Sequence, residues 1–320
     1  DYSWHLIFDV NVPVGLAAIL FAIFIQKEWR GARAGSFDWP GFLCVVCFMP
    51  LLIFALARGN SPLNPEGWSS PEVIGCFAVA AAALIVFIVR ELRCENPLLN
   101  LKLLGERNFG VSMAVLAIFG IGMLGGTYLL PLYMQKGLGY TAIMAGSVFL
   151  PVGLIQGVLS TCSGFLTRYI KPLFIAVTGI LVMTLSFYFA SRFTLHTTHA
   201  QIMLVLYLRG FGMGLTFAPL NDFSLMNLSQ RDMASAAGIS NSIKQLSGSV
   251  SIALLTVILT GRTAFHSAQG GLSSAESYVA GISDDFLFVT FVSLASALPF
   301  LWLLRPRRKA ASFKSEGTGT

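Results

Sequence analysis

Long uninterrupted apolar runs constrain this sequence more than any other feature. A helix needs about 20 apolar residues to cross the roughly 30 Å hydrocarbon core of a bilayer. Nine segments reach or approach that length, at residues 6–25, 40–57, 73–89, 109–134, 140–166, 172–191, 202–223, 233–260 and 286–304. Lipid offers no partner to free backbone groups, and the runs are too long for barrel strands. The sequence therefore predicts an all-α polytopic membrane protein.

The placement of the cations predicts how the spans are oriented. Only 11% of residues are charged, against about 25% in soluble domains. Of the 21 Lys and Arg residues, fifteen fall in segments on the side of the C-terminal tail and four on the opposite side. Cytoplasmic loops carry the excess of positive charge. We therefore expect a multi-pass protein of the cell membrane with a cytoplasmic C-terminus, and no nucleic-acid partner.

Signals for enzymatic or metal chemistry are missing from the sequence. It contains neither a G-x-x-x-x-G-K-[ST] phosphate loop nor an H-E-x-x-H zinc motif. The four histidines lie at span edges or in predicted external loops, and Cys44 and Cys47 lie inside an apolar segment as small buried side chains. We therefore expect no enzyme activity, no metal and no cofactor.

Ionisable residues inside apolar spans are costly and are usually functional. Asp9 and Asp222 lie near the ends of their spans. Arg209 and Lys244 lie deeper, roughly 10 Å and 16 Å along their helices. These two cations require an acidic group from elsewhere, a water-filled cavity or a charged substrate. The alternatives are that Lys244 extends to the interface or is neutral, or that Arg209 packs on backbone carbonyls.

Uncharged polar residues and glycine pairs complete the pattern within the spans. Asn241 lies three residues before Lys244 and shares its helix face, and Gln156 is a further polar residue in a span. These side chains fit a cavity lining and fit polar helix contacts almost as well. Three G-x-x-x-G pairs, at 122–126, 153–157 and 210–214, predict close helix packing.

Several motifs resemble those of one transporter family. They are the opening stretch at residues 1–15, Asn96-Pro-Leu-Leu, Arg107-Asn-Phe, Gly139-Tyr-Thr-Ala, Leu150-Pro-Val-Gly and Arg231-Asp-Met-Ala-Ser-Ala-Ala-Gly. In this order they are similar to the EmrB/QacA-type drug:proton antiporters of the major facilitator superfamily. The segment from Gly164 to Arg168 resembles a weakened copy of that family's cytoplasmic loop motif.

The resemblance implies a fourteen-helix protein of which this chain is an N-terminally truncated part, as its start at Asp1 also suggests. It assigns residues 1–26 to the last helix of the N-terminal bundle and 27–108 to two inserted linker helices and cytoplasmic loops. Residues 109–304 would form the complete C-terminal six-helix bundle, and 305–320 a cytoplasmic tail.

The resemblance further implies proton-coupled export of drugs or other small amphipathic compounds by alternating access, with the proton gradient as energy source. Lys244, Arg209, Asn241, Gln156 and Asp222 are the candidate cavity or charge-balancing residues. The expected partners are the lipid bilayer and a small-molecule substrate, and a periplasmic adaptor protein stays open. Two alternatives are a dedicated transporter of one metabolite or anion, and a truncated product that transports nothing.

Overall fold

Helices form all the regular structure in the part of the chain that the structure describes. The computed structural model describes residues 9, 11–25, 38–59, 61, 64–94, 97–230 and 232–303, with side-chain surroundings up to residue 300. Its α-helices are α1 (Asn11–Ile25), α2 (Trp39–Gly59), α3 (Pro71–Arg93), α4 (Arg107–Leu132), α5 (Ala142–Ser147), α6 (Leu150–Leu166), α7 (Pro172–Ala190), α8 (His199–Leu225), α9 (Met233–Ala268), α10 (Ser274–Ala295) and α11 (Leu298–Leu303). Two 3₁₀ turns (Gly67–Ser69, Leu101–Gly105) and a π-helical turn (Tyr133–Gly137) complete the order.

Eight helical segments in these residues are long and apolar enough to cross a membrane. The predicted all-α polytopic architecture is therefore confirmed. Of the first predicted span, residues 6–25, the structure describes residue 9 and the 15 residues of α1 between Asn11 and Ile25, and the rest lies outside the described residues. The chain divides into two units, and α1 lies in the first, Asp1–Phe37, whereas all other helices lie in the second, Asp38–Thr320.

The connection between α9 and α10 corrects one prediction. The predicted spans 233–260 and 286–304 leave residues 261–285 as a long connection between them. Instead α9 continues to Ala268 and α10 begins at Ser274. A capping box starts α10, because the Ser273 hydroxyl accepts the Glu276 N–H while the Glu276 carboxylate accepts the Ser273 N–H. Gly270 and Gly271, with φ of 73° and 87°, make the turn before it.

Helices α7 and α8 approach each other at backbone distance. A Cβ atom at Gly212 would lie 2.8 Å from the Met183 nitrogen and 2.9 Å from the Gly179 oxygen. Gly210 and Gly214 likewise face α6, so the predicted packing role of that pair is confirmed. Gly153 and Gly157 have open space where a Cβ would stand, so the same prediction was wrong for them among the described residues. A spacing of four selects one helix face but not the face that meets a neighbour.

The pair α2–α3 is joined at one end by Asp38. Its carboxylate accepts the Gly41 N–H at 3.1 Å, which caps α2, and the Arg90 Nε at 2.9 Å. Burial alone would raise the pKa of this carboxyl. The hydrogen bonds from Gly41 and Arg90 outweigh that effect, so the pKa of Asp38 lies below its ordinary value. Further along the pair, Phe48 stacks on Phe87 with ring centroids 6.4 Å apart.

We expect Asp38→Asn to lower the free energy of unfolding by about 1 kcal/mol at neutral pH. The lowered pKa means that the charged carboxyl contributes its full stability above the ordinary carboxyl pKa and loses it as the pH falls through the lower, folded value. The difference between variant and wild type in detergent-solubilised thermal unfolding should therefore close at acid pH. Glu72→Gln, at the exposed pair with Arg58, is the control and should change less. A gap that does not depend on pH would contradict this role.

Candidate functional site

Lys244 extends from α9 towards an aromatic ring of α8. It lies about 16 Å along the helix axis from Met233. Its Nζ stands 5.4 Å from the centroid of the Phe217 ring, a cation–π distance. The Phe217 ring in turn meets the Phe119 ring of α4 edge-on at 6.3 Å. In the described part of the chain no carboxylate lies within ion-pair distance of Lys244.

A cavity of about 140 Å³ surrounds this lysine between α4, α8 and α9. Its polar members are a lysine, two asparagines and two serines, and its apolar members come from all three helices. The lining residues are Met113, Leu116, Phe217, Leu220, Asn221, Ser224, Ala237, Ser240, Asn241 and Lys244. The amide side chains of Asn221 and Asn241 are exposed, so they can both donate and accept hydrogen bonds to a guest molecule.

Two of the predicted site residues, Lys244 and Asn241, therefore meet at one cavity. They lie a single turn apart on α9, as their spacing indicated. Asn221 joins them from α8, beside Asp222, which is exposed and does not line the cavity. The arrangement combines one cation, two amides and an aromatic face. Its volume of about 140 Å³ is below the roughly 300–1,000 Å³ of sites that bury a drug-sized ligand, so the cavity can hold only part of an amphipathic molecule. None of its groups is a nucleophile with a base within reach.

Arg209 has a different environment. It lies on α8 and is 3% exposed. Its Nη2 donates to the Met123 carbonyl oxygen of α4 at 3.1 Å and to the Thr127 hydroxyl. Its Nε and Nη1 have no hydrogen-bond partner among the described residues. The guanidinium thus packs partly on a backbone carbonyl, the alternative weighed from the sequence, and it does not line the cavity around Lys244.

The other predicted positions lie elsewhere. Gln156 is half-buried on α6, where its backbone oxygen stands 3.0 Å from the Cβ position of Gly214. Gly164 and Arg168 lie at the end of α6 and in the following turn. The Gly164 carbonyl accepts the Thr167 hydroxyl at 2.7 Å, and the exposed Arg168 guanidinium lies 5.5 Å from the Phe165 ring centroid.

Sequence reasoning missed the acidic residues of α10. Asp284 accepts Arg262 Nε at 2.6 Å and meets His266 Nε2 at 2.8 Å, both from α9. Asp285 is fully buried. Both lie between the predicted spans 233–260 and 286–304, because their charges and the preceding serines lower the local hydropathy. The Ser-x-x-Glu pattern at 273–276 is a helix-start signal that would have brought them into a helix.

Metal coordination is not suggested by the described residues. Among them, no group of three or more His, Cys, Asp or Glu side chains comes together in a way that could hold an ion. His196 and His199 lie exposed around the start of α8, and Cys44 and Cys47 are free thiols.

Known proteins similar to this chain include proteins named as a transporter, a multidrug export protein and a drug resistance protein. An uncharacterized MFS-type transporter, YhcA of Bacillus subtilis, is 32% identical over 84% of this chain and 50% of its own length. The multidrug export protein EmrB of Escherichia coli is 29% identical over 84% of this chain and 52% of its own length. The puromycin resistance protein pur8 of Streptomyces alboniger is 28% identical over 98% of this chain and 62% of its own length.

These matches agree with the resemblance that the motifs indicated, and they also limit it. The chain spans about half the length of the first two of these relatives. The sequence profile of the Major Facilitator Superfamily matches residues 1–252, most of the chain. This match, together with the apolar helices of span length, makes the chain part of a multi-pass membrane protein. The chain belongs to the Major Facilitator Superfamily.

Proposed function

We propose that the protein exports small amphipathic compounds across the cell membrane in exchange for protons, by alternating access. The observation that carries the proposal is the cavity around Lys244, which combines a cation, two amides and an aromatic ring within span-length helices. The names of the similar EmrB and pur8 proteins, which refer to multidrug export and puromycin resistance, support it. In this fold, substrates bind near the bilayer midplane and the halves move around them.

The chemistry of the cavity suits molecules with one apolar face and few polar groups. Phe217, Leu116 and Leu220 supply apolar surface, whereas Asn221 and Asn241 supply hydrogen bonds that fix orientation. Lys244 adds a positive charge that faces the Phe217 ring at a cation–π distance. An excess of Lys and Arg on one side of the predicted spans supports a cytoplasmic C-terminus. A periplasmic adaptor stays a prediction.

Reconstitution of the purified full-length protein into liposomes tests the proposal. A pH gradient imposed across the vesicle membrane should drive accumulation of a lipophilic cation such as ethidium. Addition of that cation should in turn release protons, measured with an internal pH dye. Protein-free liposomes give the background. Accumulation of ethidium that continues after the pH gradient is collapsed would contradict the antiport proposal. Addition of ethidium that moves no protons would contradict it as well.

Lys244→Met tests whether the charge of this lysine affects the affinity of the cavity for charged molecules. Removing the ammonium removes a like-charge repulsion, so we expect the affinity for ethidium to rise on the order of tenfold at a partly desolvated site. Lys102→Met, at an exposed position on the 3₁₀ turn, is the matched control and should leave binding unchanged. Equilibrium binding to protein in detergent gives both values. An affinity for anionic amphiphiles that collapses in Lys244→Met, with none for ethidium, would instead favour the dedicated anion transporter.

A further inference from the structure

Asp285 is a carboxylic acid in the middle of an apolar helix face. It lies about 16 Å along the axis of α10 from Ser274. It is 0% exposed, as are Ile282, Phe286 and Val289 around it on the same helix. Neither of its side-chain oxygens has a hydrogen-bond partner among the residues that the structure describes.

The adjacent carboxylate, that of Asp284, has two basic partners. Asp284 receives both basic groups that α9 offers at this level, the Arg262 guanidinium at 2.6 Å and the His266 ring at 2.8 Å. Asp284 is about a quarter exposed, with 27% of its side chain accessible. Asp284 is therefore ion-paired at a partly exposed position, whereas Asp285 is buried and has no cation partner among the described residues.

The other titratable groups near the N-terminal end of α10 are engaged with different partners. Helix α10 packs against α4, α7, α9 and the π-helical turn. On these elements Tyr128 hydrogen-bonds Thr256, Tyr133 donates to the Thr194 carbonyl, Tyr188 accepts from Arg192, and Lys136 lies 6.0 Å from the ring centroid of Tyr278. On α10 itself, Asp284 and Tyr278 are near enough to Asp285 to interact with it electrostatically. Asp284 is negative and Tyr278 is neutral, so neither offsets a negative charge on Asp285.

An ionised carboxylate in this position would be buried with no donor and no cation. Taking an unpaired charge out of water costs far more free energy than burying the neutral acid, so such a group neutralises instead. Since no cation or donor of the described residues pairs with Asp285, we expect a proton on the carboxyl itself to neutralise it.

We propose that Asp285 is a proton-binding residue of this transporter. It holds a proton in the present conformation and releases it when a movement of α10 against α4 and α9 admits water. In the release the carboxyl O–H bond breaks and the proton passes to a water molecule, leaving the carboxylate in contact with water. In the return step a hydronium ion gives the proton back before the carboxyl is buried again. The part of Asp285 in export rests on the proposed proton coupling, whereas the bound proton does not.

Infrared spectroscopy of the purified full-length protein at neutral pH tests the bound proton directly. A protonated carboxyl has a C=O stretching band distinct from the bands of carboxylates. We expect this band to be lost in Asp285→Asn and retained in Glu276→Gln, a control on the same helix that keeps the capping pattern. A spectrum of Asp285→Asn with the band at full wild-type strength would overturn the proposal.

Thermal unfolding provides a second readout. Asn has nearly the shape of protonated Asp and is also neutral, so Asp285→Asn should unfold at the wild-type temperature. A difference in unfolding temperature between wild type and Asp285→Asn that closes as the pH falls would mean that the native carboxyl is charged and paired, and would overturn the proposal.

The transport role has its own measurement in liposomes. Asp285→Asn should continue to exchange ethidium between the two sides, while substrate-driven proton release falls to background. Proton release at the wild-type rate in Asp285→Asn would overturn the transport role. If the wild-type protein itself moves no protons, the proposed antiport fails. The loss of the infrared band in Asp285→Asn would then still support the proton-binding residue.

Discussion

Gly212→Ala is expected to destabilise the protein by about 1–3 kcal/mol, the usual cost of adding a carbon to a packed core. The added Cβ would stand 2.8 Å from the Met183 nitrogen and 2.9 Å from the Gly179 oxygen. Both are backbone atoms, so no rotamer change relieves the contact. Helices α7 and α8 would have to separate along a contact that buries Ile180, Met183 and Leu206. The unfolding temperature in detergent should fall by several degrees. The larger substitution Gly212→Val should abolish the folded fraction.

Gly153→Ala is the matched control for this prediction. Gly153 also lies in a span-length helix and in a G-x-x-x-G pair, but nothing stands within 4 Å of its Cβ position. Alanine has the higher helix propensity, so Gly153→Ala should leave stability unchanged or raise it by up to about 1 kcal/mol. Equal losses in the two variants would show that the α7–α8 contact does not depend on a bare backbone.

This pair of glycines shows how far sequence predicts packing. The spacing correctly placed each glycine pair on one helix face, and the helical spans and their order followed from hydropathy. Which face meets a neighbour depends on how the helices are arranged around it. The Cβ position of Gly214 faces Leu159 of α6. The Cβ position of Gly157, in the other G-x-x-x-G pair, lies on α6 itself and faces open space.

The candidate site was predictable to a similar degree. Depth along a helix follows from counting residues, so Lys244 and Asn241 were correctly expected to lie together on α9 well inside a span. The aromatic partner of Lys244 comes from α8, and helical spacing carries no information on contacts between helices. Asp285 was missed for another reason. Its burial depends on α4 and α9 covering a stretch that hydropathy alone ranks as a loop.

Arg209→Met should separate the structural from the functional role of the second deep cation. In the wild type the guanidinium is 3% exposed and has no carboxylate partner among the described residues. The substitution leaves neither Thr127 nor Met123 without a hydrogen-bond partner, because the Thr127 hydroxyl already donates to the Met123 carbonyl at 3.0 Å. Replacing an unpaired buried charge by an apolar side chain of similar length is often neutral or stabilising. We therefore expect the unfolding temperature to stay the same or rise.

Ethidium export, in contrast, should be lost in Arg209→Met. Since ionisable residues inside membrane spans are usually functional, we expect Arg209 to act in a step of the transport cycle. Export of ethidium per folded Arg209→Met molecule should therefore fall to background, measured in liposomes at matched protein content. Arg192→Met removes an exposed cation that stacks on Tyr188 at 5.3 Å and should export normally. If Arg209→Met instead loses stability while each folded molecule still transports, then Arg209 stabilises the contact between α4 and α8 and is not part of the transport cycle.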